Sequence, residues 1–218
     1  MKIIKTTVKL LTLSAIFLLS SCFLIHERYG EHCNSHAYVN RGLTDFIKSR
    51  FNYNSPVRLA IVPFSTAANL TAQYTERPGF GNEIAWKLHA YLLESGDVPI
   101  VEVFNRQDWP LKKEEFFTGN FGGLAMAREA GYDLVLVGYV EQQRNIRQID
   151  AFVKLMDVES GVTVYYGKIS SNTIREHFQD FEDTMLISDK RPSDLFLAEI
   201  KEKLPSCISE AILSDEEE

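Results

Sequence analysis

The chain has 218 residues, 45% of them hydrophobic and 24% charged, and a formal net charge of −7. These fractions describe one folded domain, with or without a tail, and exclude a mostly disordered chain, a collagen-like fibre and a multi-span membrane protein. The acidic balance argues against a nucleic-acid partner, and three Cys are too sparse for a disulfide scaffold.

Residues 1–9 carry Lys2, Lys5 and Lys9 and no acid, and residues 10–19 are almost wholly apolar. A basic stretch, a short apolar stretch and small residues before a cleavage point predict a secretory signal over 1–21. The apolar run is shorter than the roughly 20 residues that cross a bilayer. Leu19-Ser20-Ser21-Cys22 resembles the bacterial lipobox. The resemblance implies a diacylglycerol on the Cys22 sulfur, cleavage before Cys22 and acylation of the new amino group. Such an anchor is firm, because each buried CH₂ contributes about 0.8 kcal/mol. Phe23 stands where an Asp usually marks inner-membrane retention in enterobacterial lipoproteins, so the expected site is the periplasmic face of the outer membrane. Loss of Lys2, Lys5 and Lys9 with the signal takes the formal charge from −7 to −10.

The mature chain reads as a lipidated tether over 22–34, a single α/β domain over 35–213 and an acidic, disordered tail over 214–218. Within the domain, residues 35–50 are predicted helical, with Ser35 as N-cap and Ala37, Leu43, Phe46 and Ile47 as an apolar stripe. Gly42 sits awkwardly inside that helix. Residues 57–64 form a nearly continuous apolar strand, suited to cover on both faces. The clearest helix is 80–95, with Phe80, Ile84, Leu88, Tyr91 and Leu92 at helical spacing and Gly96 as its stop.

A second strand is expected over 98–104, a loop around Trp109-Pro110, a short helix over 124–130 and a third buried strand over 133–140. Residues 149–158 alternate: Ile149, Ala151, Val153 and Leu155 on one face, Asp150, Phe152, Lys154 and Met156 on the other. That is the pattern of a half-covered strand. Residues 162–170 return as its hairpin partner. A closing helix over 193–213 places Phe196, Ile200, Leu204, Ile208 and Ile212 on one side and should kink at Pro205. The resulting order is α-β-α-β-α-β-β-β-α: an α/β fold with a mixed sheet in two or three layers, whose last three strands form an antiparallel meander.

Four strings carry a family resemblance: residues 58–64 (RLAIVPF), 101–108 (VEVFNRQD), 130–138 (AGYDLVLVG) and 155–161 (LMDVESG). In this order they resemble the curli-secretion-subunit (CsgG) and TolB N-terminal-like domains of bacterial envelope proteins, over roughly 57–170. The likeness implies an envelope lipoprotein that assists secretion or surface assembly, or that activates a cell-wall synthase. Residues 105–120 lack the Glu that usually follows the Arg motif, and no propeller follows.

No catalytic constellation is legible: G-x-S-x-G, Walker A and H-E-x-x-H are absent. His32 and His36 are spaced i, i+4, but a polar tether explains them better than a metal. Phe80-Gly81-Asn82-Glu83 and residues 119–123 (GNFGG) read as helix starts rather than phosphate cradles, Glu83 opposing an anion. No cofactor, metal or nucleic acid is expected. Trp109, Phe116, Phe117 and Phe121 either fold onto the core, the preferred reading, or form a partner patch. With Cys22 given to lipid, Cys33 and Cys207 either pair in the oxidising periplasm or remain a free thiol and a buried one. The expected function is non-catalytic: a membrane-anchored lipoprotein binding another envelope protein, with oligomerisation left open. The alternative is a pore-forming oligomeric channel of the curli type, which would need amphipathic strands of about ten residues.

Overall fold

The structure is a computed structural model that describes residues 33–51, 55–66, 79–104, 113–119, 121–142, 148–172 and 192–214. The signal segment, Cys22, the tether up to residue 32 and tail residues 215–218 lie outside the described residues.

The chain opens with strand β1 (Cys33–Asn40) and helix α1 (Leu43–Arg50). This corrects the single helix expected over 35–50. Residues 33–37, Val39 and Asn40 pair with strand β7 (Thr163–Asn172) instead of forming a helical stripe, and Gly42, at φ 65°, turns the chain between the two elements. The Asn40 carboxamide oxygen accepts the Gly42 N–H at 3.0 Å and holds that corner. Ala37 faces the core from β1, while Leu43, Phe46 and Ile47 do so from α1. The apolar residues were therefore identified, but two elements share them. His36 consequently lies on a strand, and His32 lies outside the described residues.

Next come β2 (Arg58–Ile61), a two-residue β3 (Ser65–Thr66) and helix α2 (Phe80–Ser95), which stops at Gly96 in the left-handed conformation (φ 77°). β4 (Ile100–Val103), α3 (Lys113–Thr118) and α4 (Phe121–Glu129) lead into β5 (Leu134–Gln142), β6 (Gln148–Asp157) and β7. Helix α5 (Pro192–Leu213) closes the domain and runs through Pro205, whose ring nitrogen has no proton to donate. Among the described residues, no helix is long and apolar enough to cross a membrane.

All seven strands lie in one mixed sheet of order β1-β7-β6-β5-β2-β4, with β3 continuing along β5. β2 pairs parallel with both β4 and β5, and β5, β6, β7 and β1 are antiparallel in turn. The step from β2 to β4 and the return to β5 run in opposite directions across the sheet. Right-handed crossovers therefore put α2 on one face and α3 with α4 on the other, giving three layers.

The larger core packs α2 and α5 on Leu59, Ile61, Leu134, Leu136, Ile149, Ala151, Val153 and Leu155. The smaller core packs Phe116, Leu124 and Ala127 on Ala60, Val62, Val135, Val137 and Met156. Alternate residues of β2 and β5 thus serve opposite cores, which is why both strands read as continuously apolar. Helices α2 and α5 are further tied by the ion pairs Lys87–Glu202 and Lys201–Glu83.

Candidate functional site: an aromatic and lysine face

In open α/β sheets, ligands collect where the strand order reverses, beyond the carboxyl ends of the strands. Here that crevice lies between β2 and β5, and the chain's own Phe64 fills it. A Cβ on Gly138 of β5 would fall inside the Phe64 ring, and one on Gly81 would fall on the Phe64 carbonyl. The Phe64 N–H in turn donates to the Gly81 carbonyl at 3.1 Å. The first turn of α2 is therefore packed against the Phe64 backbone at Gly81. Among the described residues, no group of three His, Cys, Asp or Glu is placed to hold a metal ion.

Among the described residues, the smaller core covers only part of this side of the sheet. α3 and α4 pack over β5, while β6, β7 and β1 extend beyond them. On this side six rings form a chain. His36 meets Tyr38 edge-on at 4.9 Å, Tyr38 lies 4.9 Å from Tyr166, and Tyr166 lies 6.1 Å from Phe116. Phe116 then meets Phe117 at 5.2 Å, and Phe117 meets Phe152 at 6.0 Å. Phe116 is buried, but Tyr38 and Phe117 each keep 51% of their surface exposed. Neighbouring exposed rings of this kind are typical of contact surfaces, because aromatics release much water for little side-chain entropy. Tyr38 stands at the bulge in β1, between Ala37 opposite Gly167 and Val39 opposite Tyr166, and bulges redirect side chains at sheet edges.

Two lysines sit within the rings. Lys168 ion-pairs with the buried Asp150 at 2.7 Å, and Asp150 also accepts from Ser170 at 2.7 Å and from Gln148 at 2.9 Å. Lys154 is different. Its ammonium donates to the Phe116 carbonyl at 2.9 Å and lies 4.9 Å from the Phe116 ring centre and 5.2 Å from that of Tyr166. Burial pushes its pKa down. Burial, and secondarily the proximity of Tyr38, pushes the Tyr166 phenol up.

Of the four aromatics singled out from sequence, Phe116 enters the core and Phe117 stays half-exposed. Phe121 begins α4, its side chain outside the description, and Trp109 lies outside the described residues. Tyr38 and Tyr166 were missed, Tyr38 because its segment was read as helical. The alternation of β6 did place Phe152 and Lys154 on the half-covered side. Cys33 and Cys207 are joined in a disulfide with Cα atoms 5.4 Å apart, linking edge strand β1 to α5.

No protein-family model matches the sequence, and no curated protein does. Among solved structures, the chain is similar to the PelC dodecamer from Paraburkholderia phytofirmans, at 16% identity and a TM-score of 0.42, over 81% of this chain and 97% of that one. It is also similar to lipoprotein GNA1162 from Neisseria meningitidis, at 15% identity and 0.35, over 62% and 100% of the two chains. The LpoB C-terminal domain from Salmonella enterica is similar at 15% and 0.36, over 61% and 96%.

Proposed function

We propose that this chain is a lipid-anchored envelope protein, held at the periplasmic face of the outer membrane, whose α/β domain acts without catalysis by binding another envelope protein. The observation that carries the reading is the ring-lined face of β6, β7 and β1, with Tyr38 and Phe117 half-exposed beside each other's ring chain. The basic and apolar start of the sequence and the box ending at Cys22 support the anchor. Phe64, packed on Gly138 at the place where this architecture most often holds a small substrate, supports a reading without catalysis. Assistance to secretion or surface assembly, or activation of a cell-wall synthase, are the roles that the family resemblance suggests.

Photo-crosslinking in intact cells tests the reading. A photoreactive phenylalanine at position 38 or 117 should trap the same identified envelope protein, and one at exposed Lys48 of α1 should not. Failure to trap any protein from both ring positions would count against a binding face there. Cys22→Ser should leave the precursor unprocessed or release the protein from membranes. A processed Cys22→Ser chain that still fractionates with outer membranes would remove the lipid anchor from the proposal.

A further inference from the structure

Among the described residues, the six-ring face contains one lysine, Lys154, with no carboxylate beside it, and that indicates what the partner brings. An ammonium carries three N–H donors. For Lys154, the Phe116 carbonyl takes one, and among the described residues no carboxylate pairs with it. Lys168, on the neighbouring strand and the same face, shows the satisfied arrangement, with a buried Asp150 held by two further donors. Lys154 stands opposite Tyr166 in the β6–β7 register and opposite Val137 in the β5–β6 register, in the middle of the ring chain. Its ammonium lies over Phe116 and Tyr166; the chain of rings continues from Phe116 to Phe117 and Phe152 and from Tyr166 to Tyr38.

We infer that this face receives a carboxylate on Lys154, from an extended segment of a partner protein that carries one Glu or Asp between apolar side chains. The inference rests on the reading of the face as a protein-binding surface and names the chemistry of what it binds. A half-buried charge interacts more strongly than an exposed one, because the surrounding rings lower the local dielectric. Two free donors suit a single carboxylate, and the flanking rings suit the apolar residues beside it. An anionic membrane or another polyanion fits poorly, since it needs a broad basic surface and this chain carries a net charge of −7.

The experiment uses the full-length protein in cells, with the photoreactive residue at position 117. Lys154→Gln should cut the trapped yield by about tenfold, whereas Lys154→Arg should keep most of it. Lys154→Met should bind as poorly as Lys154→Gln while melting no lower than the native chain, because methionine packs among the same rings without a charge. That separates lost binding from lost folding. A carbodiimide, which condenses an amine with a carboxylate, should produce an amide between Lys154 and a Glu or Asp of the trapped protein, identified by mass spectrometry. Undiminished trapping in Lys154→Gln, with no amide at Lys154, would overturn the inference and leave a binding face of another chemistry. Lipid adducts at position 117 in place of protein would overturn it in favour of a membrane surface. No adduct at all would remove the protein-binding reading together with it.

Discussion

Asp157 shows how one buried residue organises a corner of the domain. It closes the β6–β7 turn, accepting from the Ser160 hydroxyl and from the Glu159 N–H at 3.3 Å, and it pairs with Arg50 of α1 at 3.3 Å. Burial pushes its pKa up, but the hydrogen bonds from Ser160, Arg50 and Glu159 outweigh that and hold it below the ordinary carboxylate range. A carboxylate depressed in the folded state stabilises above its unfolded pKa of about 3.9 and loses that contribution as pH falls through the folded value. Asp157→Asn should therefore cost about 1–3 kcal/mol at pH 7, read from the urea midpoint. The gap from the native chain should close at an acid pH below the folded value, where both are neutral. An equal gap at both pH values would show that the charge does not matter. Gly138 makes a steric counterpart: its missing Cβ is the space the Phe64 ring occupies. Gly138→Ala should cost about 1–3 kcal/mol by overpacking, measured by thermal melting.

At the scale of elements, the disulfide and the edge strand belong together. β1 has a partner strand on one side only, and its eight residues include no Lys, Arg, Asp or Glu. Cys33 anchors its first residue to Cys207, which is buried among Leu204, Ile208 and Ala211 of α5. The bond closes a loop of 174 residues, for which the chain-entropy model gives on the order of 5 kcal/mol, with strain commonly lowering the observed figure. Reduction should lower the urea midpoint and release β1 first, seen as faster amide exchange over residues 33–40 than over β5. Exchange in β1 unaffected by reduction would mean that pairing with β7 alone holds it. In the middle of the sheet, Leu136 of β5 is fully buried between α2, α5 and β2. Leu136→Asp places an unpaired charge there and should abolish the cooperative melt.

The whole molecule is a three-layer domain with unequal coverage. One face is closed by α1, α2 and α5, the other by α3 and α4 over part of its width. The parallel half, β2, β4 and β5, carries the crossovers and has its crevice plugged by Phe64. The antiparallel half, β6, β7 and β1, holds the ring face. In the proposed reading, the first half serves packing and the second offers the binding face. Amide exchange should follow it: slowest in β5 and β6, with strands on both sides, and faster in the four-residue edge strand β4.

Much of the fold was legible from periodicity. Helix α2 matches the stripe read over 80–95 because its apolar side meets a flat sheet, which enforces a 3.6-residue repeat. β6 alternates because its inner face is buried and its outer face is partly open, so the open face was already visible in Asp150, Phe152 and Lys154. The paired thiols were legible as one of two alternatives.

Tertiary contacts decided the rest. Residues 33–40 alternate small or apolar side chains (Cys33, Ser35, Ala37, Val39) with polar or aromatic ones, a weak period with no large aliphatic residue in it, and pairing with β7, far along the chain, makes them a strand with a bulge at Tyr38. Phe116 and Phe117 are adjacent and alike in sequence, yet one enters the core and the other faces solvent, because α3 turns only one of them toward Val135 and Val137. Whether Lys154 has a carboxylate partner depends on which strands lie beside β6, and local sequence contains no term for that. Composition and hydrophobic period fix what must be buried; which polar group is left without a partner is set only when distant segments meet.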